Sequence, residues 1–491
     1  MTSPATWVAS ETMSDRLSAL DASFLYAEEQ GVPQHVGTVM VFEGPIDYPS
    51  LQRHLAGRIA FVPRYRKRVR EVPGRLANPV WVDDPRFDLG FHVRRLALPR
   101  PGSIDQLREL VARVHPRELD RSRPLWELYV VEGLEDDRFA VISKAHQALV
   151  DGVNGLDLAQ VILDSSPDVS EAPPDAWRPG PQPSAIDLVT GAVLEAAQRP
   201  AEAVRTVRRR AGEVQHTASR ALGSLGRLAV ARRAPDSPLD VDLSKQRLFA
   251  VSSHTLAEFR SIARRHGTAT SDGAPAVRPS VNDVVLAVLA GALRTWLQAR
   301  GVGVRPTTRV RALVPVSVLP SETDDDGLDS EGVPAPGSSF GTSVDGQLVD
   351  LPVGEPNPVM RLHQVAYQLN PHREGGRAIS ARDLADLAGF APPTLHSLGV
   401  RVAGGLSRRY YNLLVSNVPG PQEPMYCAGA RLAETYPVIP LSQGHALAVG
   451  ITSYDGCVFV GFTADRDALP DVADLPTYLA EALAELRGAA R

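Results

Sequence analysis

Cysteine is nearly absent from this 491-residue chain, where Cys427 and Cys457 stand alone. Two thiols cannot build a disulfide framework or a cysteine-rich zinc site, and they read as partly buried free thiols. No CxxC, HExxH, P-loop or dinucleotide glycine pattern occurs, so no tightly bound metal or nucleotide cofactor is expected. Also missing is any hydrophobic run near the ~20 residues that a membrane span requires, and the polar N-terminus lacks a signal-peptide core. The expected location is the cytoplasm, with any membrane contact peripheral. Positive charge is not in excess either. The formal net charge is −5, which gives no support for nucleic acid as a partner. What is present, 43% hydrophobic and 22% charged residues, is the material of a packed globular protein.

The chain is organised around Lys144-Ala145-His146-Gln147-Ala148-Leu149-Val150-Asp151-Gly152. The apolar run from Phe139 to Ser143 reads as a strand, and Val153, Leu156, Leu158, Val161, Ile162 and Leu163 fall mostly at helical spacing. A His and an Asp-Gly pair between a buried strand and a helix put an imidazole and a carboxylate at the mouth of a sheet. The strand fixes the His while the loop leaves it accessible, a good position for acid–base chemistry.

This stretch resembles the active-site motif of the bacterial wax ester synthase/diacylglycerol acyltransferase family, within the CoA-dependent acyltransferases that carry His-His-x-x-x-Asp-Gly. Further stretches resemble the same family: Leu20-Asp21-Ala22, His35-Val36-Gly37, Pro124-Leu125-Trp126-Glu127, Asn282-Asp283, Val314-Pro315-Val316-Ser317 and Ser416-Asn417-Val418-Pro419-Gly420. The resemblance implies an α/β fold of two chloramphenicol-acetyltransferase-like domains with mixed sheets, joined by a helical crossover. Expected boundaries are 1–165 for the first domain, 166–245 for a linker and Arg-rich crossover, and 246–491 for the second. It implies O-acyl transfer from acyl-CoA, as co-substrate, to diacylglycerol or a long-chain alcohol, in a channel between the domains. A peripheral membrane or lipid-droplet surface is the expected partner.

One position departs from the family. The second His, the usual general base, is Gln147 here, and an amide has no usable basicity although it hydrogen-bonds an alcohol or an oxyanion. The catalytic candidates are His146, Gln147, Asp151 and Gly152, with Asp151 orienting the loop and Gly152 permitting its tight turn. Three outcomes stay open: His146 takes over as base, the enzyme is slow, or the chain is a non-catalytic acyl-lipid-binding relative. His35, Asn282, Ser416 and Asn417 are the substrate-binding candidates, no metal ligands being expected. Each has a structural alternative: a bonded strand histidine, helix-start electrostatics for Asn282, and turn support for the Ser-Asn pair.

The remaining stretches are read from composition. Val62 to Arg70 is basic, either a solvated face or a dock for CoA phosphates. Trp126 is expected to anchor the first core. Ser165 to Pro183 reads as an exposed linker, and Ala185 to Ala234 as Arg-rich helix, either a solvated crossover or a contact with anionic lipid. Ser280 to Trp296 is the clearest helix, with Ser280 as its N-cap. Ser321 to Glu331 carries acids and no base and reads as a loop.

Overall fold

Runs of β-branched residues with period-two burial give strands, and the computed structural model describes them within residues 15–28, 32–150, 158–168, 175, 177–194, 233–266, 279–318, 343–369 and 410–489. In chain order they are His35–Phe42 (β1), Lys67–Arg70 (β2), Val80–Asp83 (β3), Val93–Ala97 (β4), Trp126–Glu132 (β5), Phe139–His146 (β6), Arg247–Thr255 (β7), Val310–Val318 (β8), Ser343–Leu351 (β9), Leu413–Pro419 (β10), Tyr426–Cys427 (β11), Ala430–Val438 (β12), Leu447–Tyr454 (β13) and Cys457–Asp465 (β14). They assemble into a six-stranded sheet in the order β11-β12-β1-β6-β5-β4, a second in the order β7-β14-β13-β10-β8-β9, and a β2–β3 ribbon. Both large sheets are mixed. β4 and β5 run parallel in the first, and β10 runs parallel to both β13 and β8 in the second. This is the α/β class with two mixed sheets that the resemblance implies.

β12 lies late in the chain but pairs antiparallel with β1 in the first sheet, so the second half of the chain completes the sheet of the first. Two glycines make room for that return. A Cβ on Gly461 would sit 2.1 Å from the Pro437 carbonyl oxygen, and one on Gly450 would sit 2.7 Å from Pro437 Cβ. Only a residue without a side chain lets the crossing strand end lie against β13 and β14.

Each sheet has its own core. In the first, Trp126 is fully buried and its Nε1–H donates to the Tyr65 carbonyl at 2.7 Å, the anchoring role expected of it. In the second, the Val281–Ala299 helix is capped as its sequence predicts. Asp283 N–H donates to Ser280 Oγ at 3.2 Å, and Ser280 N–H returns a bond to Asp283 Oδ2 at 2.6 Å, a reciprocal capping pair. This helix is buried on more than its periodic face, because the Pro358–Leu369 and Leu475–Gly488 helices flank it.

The described part of the 165–183 linker is docked. Asp175 pairs with Arg66, Gly180 N–H donates to Asp83 Oδ2 at 2.7 Å, and Gln182 donates to the Asp83 carbonyl at 2.7 Å. That docking also removes part of the basic run from phosphate binding. Arg66 is buried between Asp175 and the rings of Phe87 and Trp177, and Lys67 is held by Asp15. Residues 195–232 and the acidic stretch 321–331 lie outside the described residues.

Candidate active site

β6 is buried along its whole length, and its period of two sends Lys144 and His146 to one face. Across the antiparallel pair, His35 of β1 stands opposite His146 and Gly37 opposite Lys144. The His35 and His146 rings meet edge to face with centroids 6.0 Å apart, and His115, just after the Ile104–Val114 helix, meets His35 the same way at 6.3 Å. His115 fits there because residue 37 is glycine: a Cβ would stand 3.0 Å from His115 Nε2 and 2.2 Å from the Ser143 carbonyl.

Glu28 closes this cluster from the end of the Ala19–Ala27 helix. Its carboxylate lies 3.4 Å from His35 Nε2 and 3.8 Å from His146 Nε2, and it is paired with Arg121. Burial alone would raise the Glu28 carboxyl, but the bond from His35, the nearby His146 and Arg121 outweigh it and hold the group well below the usual carboxylate range. Arg121 supplies the permanent charge among these, because burial lowers the pKa of both imidazoles and keeps them neutral.

The geometry of His146 decides what it can do. Its Nδ1 accepts the Ala148 backbone N–H at 3.0 Å, which assigns the ring proton to Nε2, the nitrogen facing Glu28. Burial first, then the neighbouring His35 and Arg121, take its pKa down to about 3 against the opposing pull of Glu28. With one lone pair engaged and the other nitrogen protonated, His146 has no free base to offer here. It instead ties down the turn that begins at Gln147. Gln147 is half-buried at the end of β6, and its own N–H donates to the Gln34 carbonyl at 2.9 Å. Asp151 and Gly152 lie outside the described residues.

On the same face Lys144 is fully buried, donating to the carbonyls of Val114, at 3.3 Å, and Arg117, with Glu127 at 3.5 Å. Burial, opposed by Glu127, brings its pKa to about 8. Arg94 and the Tyr129 hydroxyl also bind Glu127, at 2.7 and 2.5 Å. Lys144 thereby holds the last carbonyl of the helix that delivers His115 and one in the turn beyond it.

The remaining candidates gather in the second half. Asn417 Nδ2 donates to Asn282 Oδ1 at 2.7 Å, with the half-buried Ser416 beside it on β10. The turn after β10 is held by β13, through Thr452 Oγ1 to the Val418 carbonyl at 2.8 Å and Gly420 N–H to the Ser453 carbonyl at 2.9 Å. The Asn417 side chain is therefore not what supports that turn. Among the described residues, no hydrogen bond joins this pair to the histidine cluster.

Sequence reasoning missed Glu28, Arg121 and His115. Lys144 and Glu127 stood inside the quoted motifs, and alternation along β6 already set Lys144 beside His146. His115 carries no motif, and only the packing of its helix end against β1 reveals it.

Residues 17–274 match the family of wax ester synthase/diacylglycerol acyltransferase catalytic domains, and residues 340–487 match its C-terminal domain. A probable diacylglycerol O-acyltransferase of Mycobacterium tuberculosis strain H37Rv is 32% identical over 487 residues, 97% of this chain and 99% of the relative. Among solved structures, the wax ester synthase/diacylglycerol acyltransferase from Marinobacter aquaeolei VT8 superposes with a TM-score of 0.66 at 28% identity, covering 97% of this chain and 99% of that one. The first condensation domain of the CDA synthetase shares the fold at 14% identity, with a TM-score of 0.52 over 97% and 96% of the two chains.

Proposed function

Because the chain belongs to the wax ester synthase/diacylglycerol acyltransferase family, we propose that it is an O-acyltransferase moving a long-chain acyl group from acyl-CoA to the hydroxyl of diacylglycerol or of a long-chain alcohol. The observation that carries this reading is similarity over nearly the full length of relatives named for that activity, on the same two-sheet fold. The relatives matched over nearly the full length of this chain are named for acyl transfer and give no support to the non-catalytic alternative.

The reaction needs the hydroxyl proton removed as oxygen attacks the thioester carbonyl, and preorganised donors for the oxyanion. In this chain His146 is a positioning residue, whose Nδ1 fixes the turn through Ala148 N–H. The amide of Gln147 stands where the family carries its base and supplies a hydrogen bond in place of basicity. Asp151 and Gly152 shape the following turn, and Asn282, Ser416 and Asn417 offer polar contacts from the second half.

No helix among the described residues is long and apolar enough to cross a membrane. Contact with a lipid surface is therefore proposed as peripheral, at the helix over residues 185–194. Leu188 and Ala192 bury its inner side with Val72, Ala77, Val80 and Val82, while Ile186 (76% exposed), Val193 and Leu194 are exposed.

The test is CoA release from palmitoyl-CoA with dioleoylglycerol or hexadecanol. Turnover is expected with at least one acceptor, and His146→Ala should slow it by loosening the turn. Absence of CoA release with both acceptors would overturn the reading.

A further inference from the structure

The end of β6 is held from two sides. His146 N–H donates to the Leu125 carbonyl at 2.9 Å, just before β5, and Gln147 N–H donates to the Gln34 carbonyl at 2.9 Å, just before β1. Glu28, which ends the Ala19–Ala27 helix, joins those two sides. Its Oε1 accepts the Gln34 N–H at 3.4 Å. Its Oε2 is paired with the guanidinium of Arg121, four residues before Leu125, and lies 3.8 Å from His146 Nε2. Arg121 also donates to the Leu25 carbonyl at 3.0 Å, which ties the carboxylate back onto its own helix. Glu28 is 11% exposed and Arg121 47% exposed, so a carboxylate has been drawn away from water to meet a partner that stays wet. Burying a charge in this way adds little net stability, and an apolar side chain would fill the space without the desolvation cost. What the carboxylate supplies instead is direction, because it accepts from Gln34 and Arg121 on separate oxygens.

We propose that Glu28 and Arg121 are positioning residues for acyl transfer, closing a clasp across the end of β6 that fixes where Gln147 presents its amide. The proposal rests on the acyltransfer reading. Neither residue moves a proton or touches substrate. Glu28 acts on Gln147 through Gln34, and Arg121 keeps the Glu28 carboxylate from turning out to solvent. The clasp matters more with glutamine at 147 than it would with a base there. An amide contributes only through the direction of its hydrogen bond, and a misplacement of about 1 Å can cost about a hundredfold in rate.

The test compares wild type with Glu28→Gln, Arg121→Gln, Arg121→Lys and the Glu28→Gln/Arg121→Gln double variant. It reads kcat and KM from CoA release, and amide hydrogen–deuterium exchange over residues 142–150 with the Val281–Ala299 helix as reference. Glu28→Gln keeps the shape and the acceptor for Gln34 but removes the charge that holds Arg121. It should lower kcat about tenfold and leave KM for palmitoyl-CoA within about twofold. Exchange at Gln147 and Ala148 should quicken about tenfold while the reference helix is unchanged. The double variant should be no slower than either single glutamine variant, because the two residues share one interaction, and Arg121→Lys should retain most of kcat. Should Glu28→Gln fail to fold, the Arg121 variants still decide. Exchange unchanged at Gln147 and Ala148, or quickened equally in the reference helix, would overturn the clasp. So would a wild-type turnover that Glu28→Gln leaves intact, with the acyltransferase still standing. A wild type silent toward both acceptors, whose exchange at Gln147 still responds to Glu28→Gln, would support the clasp while removing the acyltransferase reading.

Discussion

β6 in the first sheet and β13 in the second are both long interior strands flanked by partners on either side, yet they bury opposite chemistry. One face of β6 carries Lys144 and His146 against His35, Glu28 and Glu127. β13 carries Val449 and Ile451 against Val458, Val460 and the Val281–Ala299 helix. The second half is a hydrophobic core whose stability should depend on volume. The first half has spent part of its core on a polar cluster whose stability should depend on charge and protonation. Sites that fix an imidazole need such groups buried and paired, and an unpaired one is costly.

The sharpest way to break this contrast is a volume-conserving swap on each side. Lys144→Met keeps the length but strips the donor from the Val114 and Arg117 carbonyls and leaves Glu127 with Arg94 and Tyr129. We expect a loss of about 2–4 kcal/mol in chemical denaturation. Leu289→Met, in the apolar core, should cost less than about 1.5 kcal/mol, whereas Leu289→Ala should cost about 3. Equal costs for the two methionine variants would erase the distinction.

Acid sharpens it next. His35, His92, His115 and His146 are buried, and burial lowers the pKa of each in the folded state. A lowered histidine contributes fully above its unfolded value of about 6.5, and that contribution shrinks as pH falls toward the folded value. Stability should therefore drop from pH 6.5 to 5 by up to about 1.4 kcal/mol per pH unit for each such histidine. His146→Asn should flatten the slope, while Leu289→Met shifts the curve without changing it. Glu28 enters later, because a carboxyl held low loses its contribution only as pH falls below about 4.5, so it does not add to the loss in the upper window.

How much of this was legible in the sequence follows the same division. The Val281–Ala299 helix, its Ser280 cap, the strand character of β6 and the Trp126 anchor were readable because each rests on local periodicity or local side-chain chemistry. The motif on β6 was readable as a pattern, but its wiring was not. Whether His146 keeps a free lone pair depends on the Ala148 N–H two residues on, and its neutral state depends on burial beneath elements distant in sequence. His115 was invisible because its position is set by a helix end packing over Gly37. The return of β12 to the first sheet was hidden too, since its own residues say strand but not which sheet.

The Asn282–Asn417 pair is the polar exception in the apolar half, and it supplies the smallest and most discriminating test. Its bond at 2.7 Å joins the start of the Val281–Ala299 helix to β10, and the turn beyond β10 is already held by β13. Each single alanine variant should cost about 1 kcal/mol, and the double variant little more than either alone, because the two residues share one interaction. Turnover separates what stability cannot. Asn417 has a second amide proton, and if that proton reaches the oxyanion, Asn417→Ala should lower kcat by about a hundredfold with little change in the denaturation midpoint. If kcat holds while the coupling is measured, the pair is a clasp between helix and strand. The chemistry would then belong entirely to the polar half, which is the strongest form the contrast can take.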